Sequence, residues 1–224
     1  MKTFHFSLFS ILLLLLLVLF SCKNISEVPT ETDFSFSQKQ PINGSKINHF
    51  PKNLIGYYMN IDSTYLIVTN KEFIYKWIRK NNTSLEDFEK IKDSSKIIGN
   101  KIYFKDDSFE FRKLKDSIEI TSMNYDTIFS ISENQIAKKI RRSIVLNTKD
   151  SIFWKIKIVN LNKNILTIKS LTSFNDLNRI DSLLKTKVQK IDSTRNIIQL
   201  TRKELKNMLK LEKFGYDQNF RKID

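Results

Sequence analysis

The densest run of side chains able to do chemistry is Lys138-Lys139-Ile140-Arg141-Arg142, four cations within five residues. Guanidinium forks and ammonium groups hydrogen-bond phosphate oxygens with charge assistance, so Lys138, Lys139, Arg141 and Arg142 are candidates for binding an anion such as a lipid headgroup. The same run suits a solvated strand edge, where charge deters edge-to-edge pairing. Carboxylates come next. Asp106-Asp107 and the Glu86-Asp87-Glu89 group have the residue type that glycoside hydrolysis needs, two carboxyl groups held across a scissile bond. The first pair reads better as a turn. The second reads better as the acidic first turn of a helix, which suits the helix dipole. Other catalytic types are scarce. His5 and His49 are the two histidines, Cys22 is the one cysteine, and Gly44, Gly56, Gly99 and Gly215 lie far apart. These residues assemble no histidine-based triad, no HExxH helix, no thiolate cluster and no glycine-rich phosphate loop. No catalytic residue, metal or cofactor is therefore expected.

Cys22 has a different chemistry. Met1-Lys2-Thr3 forms a short basic start, and residues 8–20 hold twelve apolar side chains of thirteen, interrupted by Ser10. That run is shorter than the ~20 residues a spanning helix needs. It has the length of a secretory signal peptide over 1–21. It ends at Leu19-Phe20-Ser21-Cys22, which resembles the lipobox of bacterial lipoproteins: Leu19, Ser21 and Cys22 match, while Phe20 is bulkier than the usual middle residue. The resemblance covers the first 22 residues only. It implies diacylglycerol on the Cys22 sulfur, cleavage after Ser21 and acylation of the new amino terminus. Several acyl chains anchor stably where one is marginal. An ordinary signal peptide with a chance cysteine, or an uncleaved segment, are the alternatives. By the same resemblance, Lys23 in place of an aspartate favours the outer membrane. The first acid is Glu27, a poor match to surface-export signals, so a periplasmic and a surface face both stay open.

The chain has 224 residues and a formal net charge of +14, from 30 Lys and 8 Arg against 24 acids. Such a charge attracts anionic lipid, polysaccharide or nucleic acid, or it reflects lysine-rich codon usage spread over solvated faces. A secreted chain argues against nucleic acid as a partner. Apolar residues make up 41%, enough for a core and too many for a disordered chain.

These residues must be held by some architecture. Residues 22–51 are polar, carry Pro29 and Pro41, and read as a lipid-anchored flexible linker. Residues 52–224 read as a single β-rich domain. Alternating segments such as Phe109-Glu110-Phe111, Ile118-Glu119-Ile120 and Phe153-Trp154-Lys155-Ile156 carry the period of half-buried strands. Asp62, Asp107, Asp116, Asp126 and Asp150 precede Ser or Thr and read as turn formers. Helices are expected over 83–92, opened by the capping-box pair Thr83 and Glu86, over 173–186, and over 201–211, opened by Thr201 and Glu204. The expected class is α+β: an antiparallel β-meander sheet or partial barrel with two to three helices packed on one face or end. Trp77, Trp154 and the strand aromatics line either a plain core or an apolar ligand cavity. The leading functional expectation is a membrane-anchored envelope lipoprotein that binds another envelope protein as a non-enzymatic assembly accessory. A carrier of an apolar or anionic small molecule is the alternative, and a carboxylate-based hydrolase comes behind both.

Overall fold

The computed structural model describes residues 33–105, 107–171, 179–180, 188–191, 195–211 and 214–223. All its strands join one 16-stranded sheet. In chain order they are β1 (Asp33–Phe36), β2 (Lys46–Ile47), β3 (Gly56–Met59), β4 (Tyr65–Val68), β5 (Glu72–Ser84), β6 (Lys96–Ile98), β7 (Lys101–Phe104), β8 (Asp107–Lys113), β9 (Ser117–Ser130), β10 (Gln135–Ile140), β11 (Ser143–Asp150), β12 (Phe153–Asn162), β13 (Ile165–Ser170), β14 (Val188–Lys190), β15 (Arg195–Ile198) and β16 (Tyr216–Lys222). Two α-helices are described, α1 (Leu85–Asp93) and α2 (Arg202–Met208). Pairing is antiparallel throughout except between β1 and β15.

The α+β expectation is corrected by this arrangement. Among the described residues strand accounts for 57% and helix for 12%, and the two helices contribute buried side chains without forming a covering layer. The sheet covers itself instead. Nine of its strands, β10-β11-β12-β13-β16-β3-β4-β5-β9 in sheet order, all place side chains in one apolar core that includes Tyr58, Leu66, Phe73, Phe129, Leu146, Leu166 and Phe220. A second core lies on the opposite face of β10–β12, where Val145, Ile156 and Ile158 meet Phe34 and Phe36 of β1, Ile198 of β15, and Leu205 and Met208 of α2. The chain beyond residue 170, where helices are expected over 173–186 and 201–211, supplies β14, β15 and β16. The helix expected over 173–186 lies outside the described residues except for Arg179 and Ile180, which are helical, and Ile180 is fully buried.

Strand β11 shows why the sheet exceeded expectation. Ile144, Val145, Leu146 and Asn147 are buried in succession. Ile144 and Leu146 face the first core, and Val145 faces the second. A strand covered on both faces loses the alternation that marks a half-buried one. Length was the other surprise. β5 and β9 pair over a continuous ribbon from Glu72↔Ser130 to Ser84↔Ser117, with one register shift at Phe73/Ile74. The far half of that ribbon carries β8, β7, β6 and α1 around a small third core of Phe88, Ile102 and Ile118. α1 starts later than expected: Thr83 is still in β5, and Ser84 caps the helix by accepting from the Asp87 N–H at 3.0 Å. The capping box of α2 forms as expected, with Thr201 Oγ1 accepting from the Glu204 N–H and Glu204 Oε2 accepting from the Thr201 N–H.

The expected linker also needs correction where it is described. Residues 33–51 fold into the domain, adding β1, β2 and three buried phenylalanines, Phe34, Phe36 and Phe50. Phe50 packs edge-on against Phe73 at 4.7 Å. Burying each such ring is worth roughly 1.5–3 kcal/mol, which offsets ordering a polar stretch with little periodicity. The loop after β1 is fixed by a fully buried Asn147. Its Oδ1 accepts from the Gln40 N–H at 2.6 Å, and its Nδ2 donates to the Gln40 carbonyl at 2.8 Å. One side chain thus satisfies both backbone groups of a buried loop residue, as a neighbouring strand would. At the other end, Gly215 (φ +74) admits β16 beside β13, where a Cβ would meet the Ser170 carbonyl oxygen at 2.6 Å.

Candidate functional site

The outer face of the β13-β16-β3-β4-β5-β9 layer is built by alternation. Tyr58, Leu66, Tyr75 and Phe220 point inward, so their neighbours point out. Register then lines up one row across six strands: Ile165↔Arg221, Arg221↔Met59, Met59↔Tyr65, Tyr65↔Lys76 and Lys76↔Tyr125. Flanking rows add Tyr57↔Ile67↔Ile74 and Ile78↔Met123. Tyr57 is 50% exposed, Tyr125 58%, Met123 47% and Ile78 43%. A sheet with one solvated face normally turns polar side chains outward. Along this row and its flanking pairs the face instead turns out aromatic and aliphatic side chains, with the cations Lys76 and Arg221 among them, while the pairs Thr167–Asn219 and Lys169–Asp217 make the neighbouring part of β13 and β16 polar. Lys76 Nζ lies 5.8 Å from the ring centres of both Tyr65 and Tyr125, within cation–π range. A cleft of about 690 Å³ opens at the Met59, Ile165 and Arg221 end of the row and extends to Ile61 and Tyr216.

The basic run expected to bind an anion is divided by the structure. Lys139, Arg141 and Arg142 stand together at the end of the β10–β11 hairpin, with Arg141 in a left-handed conformation (φ +54) in the two-residue turn. They line a groove of about 420 Å³ with His49, above Ile47, Leu54, Ile144, Val159 and Leu161. Lys138 faces the other way, as strand alternation requires. Its ammonium donates to the carbonyls of Pro41 (3.0 Å) and Lys39 (3.4 Å), so it clamps the same loop that Asn147 holds. Burial, then the neighbouring Lys39 and Lys46, hold its pKa below the usual lysine value.

The carboxylate candidates have other partners. Glu86 and Asp87 flank Lys90 at 3.0 and 3.1 Å, and Glu89 pairs with Lys92 at 2.7 Å, all along exposed α1. The Ser84 hydroxyl, then Lys90, hold the Asp87 carboxyl below its ordinary range. Asp107 opens β8 in an exposed position, and Asp106 lies outside the described residues. Asp62 forms the expected turn, accepting from the Thr64 N–H at 2.9 Å. Asp126 sits within β9 instead, opposite Tyr75. Among the described residues no group of three or more His, Cys, Asp or Glu is placed to hold a metal, and no helix is long and apolar enough to cross a membrane. Leu19, Phe20, Ser21 and Cys22 lie outside the described residues.

Trp154 is buried in the second core beneath the Lys39 ammonium, 5.0 Å from its ring centre. A space of about 280 Å³ lies beside Phe129, Leu146 and Lys157. Burial lowers the pKa of Lys157, with Asp126 acting in the opposite direction. Tyr75, packed against the first core, donates to Gln218 Oε1 at 2.8 Å, and its pKa is pushed up to about 12 by burial first and then by Asp126.

The outer face was missed at sequence level. Its members sit at alternate positions of six strands, and only the pairing register shows that they adjoin. The signal present in the sequence is that β3 and β4 carry apolar residues at successive positions, Tyr57-Tyr58-Met59 and Tyr65-Leu66-Ile67-Val68. The chain matches no protein-family model, no curated protein and no solved structure.

Proposed function

We propose that this chain is a lipid-anchored envelope lipoprotein of the outer membrane that acts as a non-enzymatic binding or assembly accessory, engaging another envelope protein through the outer face of its sheet. The observation that carries the reading is the exposed row from Ile165 to Tyr125 with its flanking apolar neighbours. Contiguous apolar surface rimmed by polar residues marks interaction sites on soluble domains. Six strands at ~4.8 Å spacing make the row about 24 Å wide. A standard interface of ~800 Å² per partner is roughly 28 Å across. Tyrosine and arginine are favoured interface anchors. Lys76 and Arg221 favour a partner whose matching surface is apolar and acidic.

The lipobox-like Leu19-Phe20-Ser21-Cys22 supports the anchor. Ten residues separate Cys22 from Asp33, where β1 begins. Fully extended, that segment reaches at most about 40 Å. The domain would therefore work close to the membrane, with a partner in or on it. The carrier reading has less support, because the strand aromatics Phe73, Phe129, Tyr75 and Phe220 pack against other rings of the core.

The test places a photo-crosslinking residue at Tyr57, Ile78 or Tyr125 in the full chain in its native membrane, with Lys96 of β6 as the control position. The expected result is one envelope protein captured from all three outer-face positions and not from Lys96. Capture should be lost in Met59→Asp/Tyr125→Asp and reduced in Cys22→Ala. Equal capture from Lys96, or crosslinks to lipid alone, would sink the reading.

A further inference from the structure

We infer that the groove at the β10–β11 turn is a binding site for a phosphate ester that carries an apolar chain, the chemistry of an anionic phospholipid headgroup with the first part of its tail. The site is separate from the outer face and does not depend on the protein partner proposed there.

Three observations converge on it. First, Lys139, Arg141 and Arg142 share one groove with His49, and no carboxylate is among the residues lining it. Lys90 and Lys92 of α1 and Arg112 of β8, by contrast, have acidic partners, Glu86, Asp87, Glu89 and Glu119. Second, the groove has an apolar base. Ile144 and Val159 belong to the first core and are nearly covered, while Ile47 and Leu161 are half-buried beside them. A site for a bare inorganic anion has no use for an aliphatic base, whereas an amphiphile needs both parts. Third, the cations at the turn are arginines. The chain has 30 Lys and 8 Arg, yet two of the eight are adjacent here. Lysine enrichment does not account for that pair. Arginine presents a planar fork that binds phosphate oxygens through two parallel hydrogen bonds, which lysine cannot do. One of the two holds a left-handed backbone position, where glycine or asparagine is the usual occupant.

The geometry gives each part a role. The phosphate sits between the Arg141 and Arg142 guanidinium groups and the Lys139 ammonium at the rim. The glycerol and first methylenes lie along Leu161, Val159 and Ile144. The two-residue turn sets the direction in which the two arginine side chains leave the backbone.

The experiment uses the full-length protein in dodecyl maltoside and isothermal titration calorimetry with three probes: dihexanoyl phosphatidic acid, glycerol 3-phosphate and inorganic phosphate. Dihexanoyl phosphatidic acid is expected to bind at least tenfold more tightly than glycerol 3-phosphate, and inorganic phosphate more weakly still. Arg141→Asn/Arg142→Gln keeps a turn-compatible residue at the left-handed position and should weaken dihexanoyl phosphatidic acid at least tenfold with an unchanged melting temperature. Lys96→Gln, on β6, removes one charge elsewhere and should change affinity less than twofold. If the three probes bind equally, the apolar base contributes nothing and the amphiphile is wrong. If the arginine variant binds as the parent does, or the parent binds none of the probes, the site itself is wrong. Amide shifts of Lys139, Arg142 and Ile144 on titration provide a readout that does not depend on the variant.

Discussion

Replacing Asn147 with leucine should be the most damaging single change in the domain that leaves its volume nearly intact. Asn147 is fully buried in β11, and its amide both accepts from and donates to the backbone of Gln40, itself fully buried. Gln40 lies in a loop between β1 and β2, so the opposed N–H and C=O have no strand to take them over. Leucine fills the space and satisfies neither. Each buried backbone group left without a partner costs about 1–3 kcal/mol, so the pair costs about 2–6 kcal/mol. Domains of this size have about 5–15 kcal/mol to lose. The assay is urea denaturation followed by tryptophan fluorescence. The midpoint should fall with an unchanged slope, since the surface exposed on unfolding is the same. Amide exchange at Gln40 should rise from a protected value towards that of an open loop. A loss under about 1 kcal/mol, with Gln40 still protected, would refute the claim that this amide is what holds the loop.

Three further changes probe other parts. Tyr75 has a folded-state pKa raised to about 12 against an ordinary 10.0. Its contribution is present below pH 10 and is lost as pH rises from 10 to 12. Linkage caps that loss at about 2.7 kcal/mol, less after solvent screening of a half-buried ring. Tyr75→Phe should flatten this part of the stability-versus-pH curve, and an unchanged alkaline loss would count against the assignment. Lys157 has the opposite sign. Its pKa lies below the ordinary 10.5 because burial disfavours the ammonium, so the unfolded chain binds more protons and stability should rise as pH climbs towards 10.5. Lys157→Met should remove that rise and leave the domain at least as stable at pH 7, measured by denaturant titration at both pH values. Thr201→Ala removes the α2 cap beneath Leu205 and Met208 and should cost about 1 kcal/mol. That is a drop of about 2–4 °C in melting temperature by calorimetry.

Local chemistry was legible in the sequence. The cap of α2 depends on Thr201 and Glu204 alone, and the Asp62 turn on one carboxylate bonding a backbone two residues on. The period of Phe109 to Phe111 and of Phe153 to Ile158 depends on neighbours along the chain, and both segments are strands. What failed were features that need a second segment. β11 looks featureless because both its faces are covered, one by β1 and α2 and the other by strands far along the chain. Phe34, Phe36 and Phe50 sit in polar surroundings and reveal themselves as core only when the sheet reaches them.

The two candidate surfaces divide in the same way. That Lys138, Lys139, Arg141 and Arg142 form a cationic cluster is a property of sequence. Strand alternation turns one into a loop clamp and leaves three on a groove whose apolar base comes from β2, β11, β12 and the segment before β3. The row from Ile165 to Tyr125 has no counterpart in the linear chain, since its six members span 163 positions, from Met59 to Arg221, and adjoin only through pairing register. Sequence determined where turns, caps and charges fall, because those depend on covalent neighbours. Tertiary structure decided which faces are buried and which residues meet, because burial and register are settled by pairing among strands far apart in the chain.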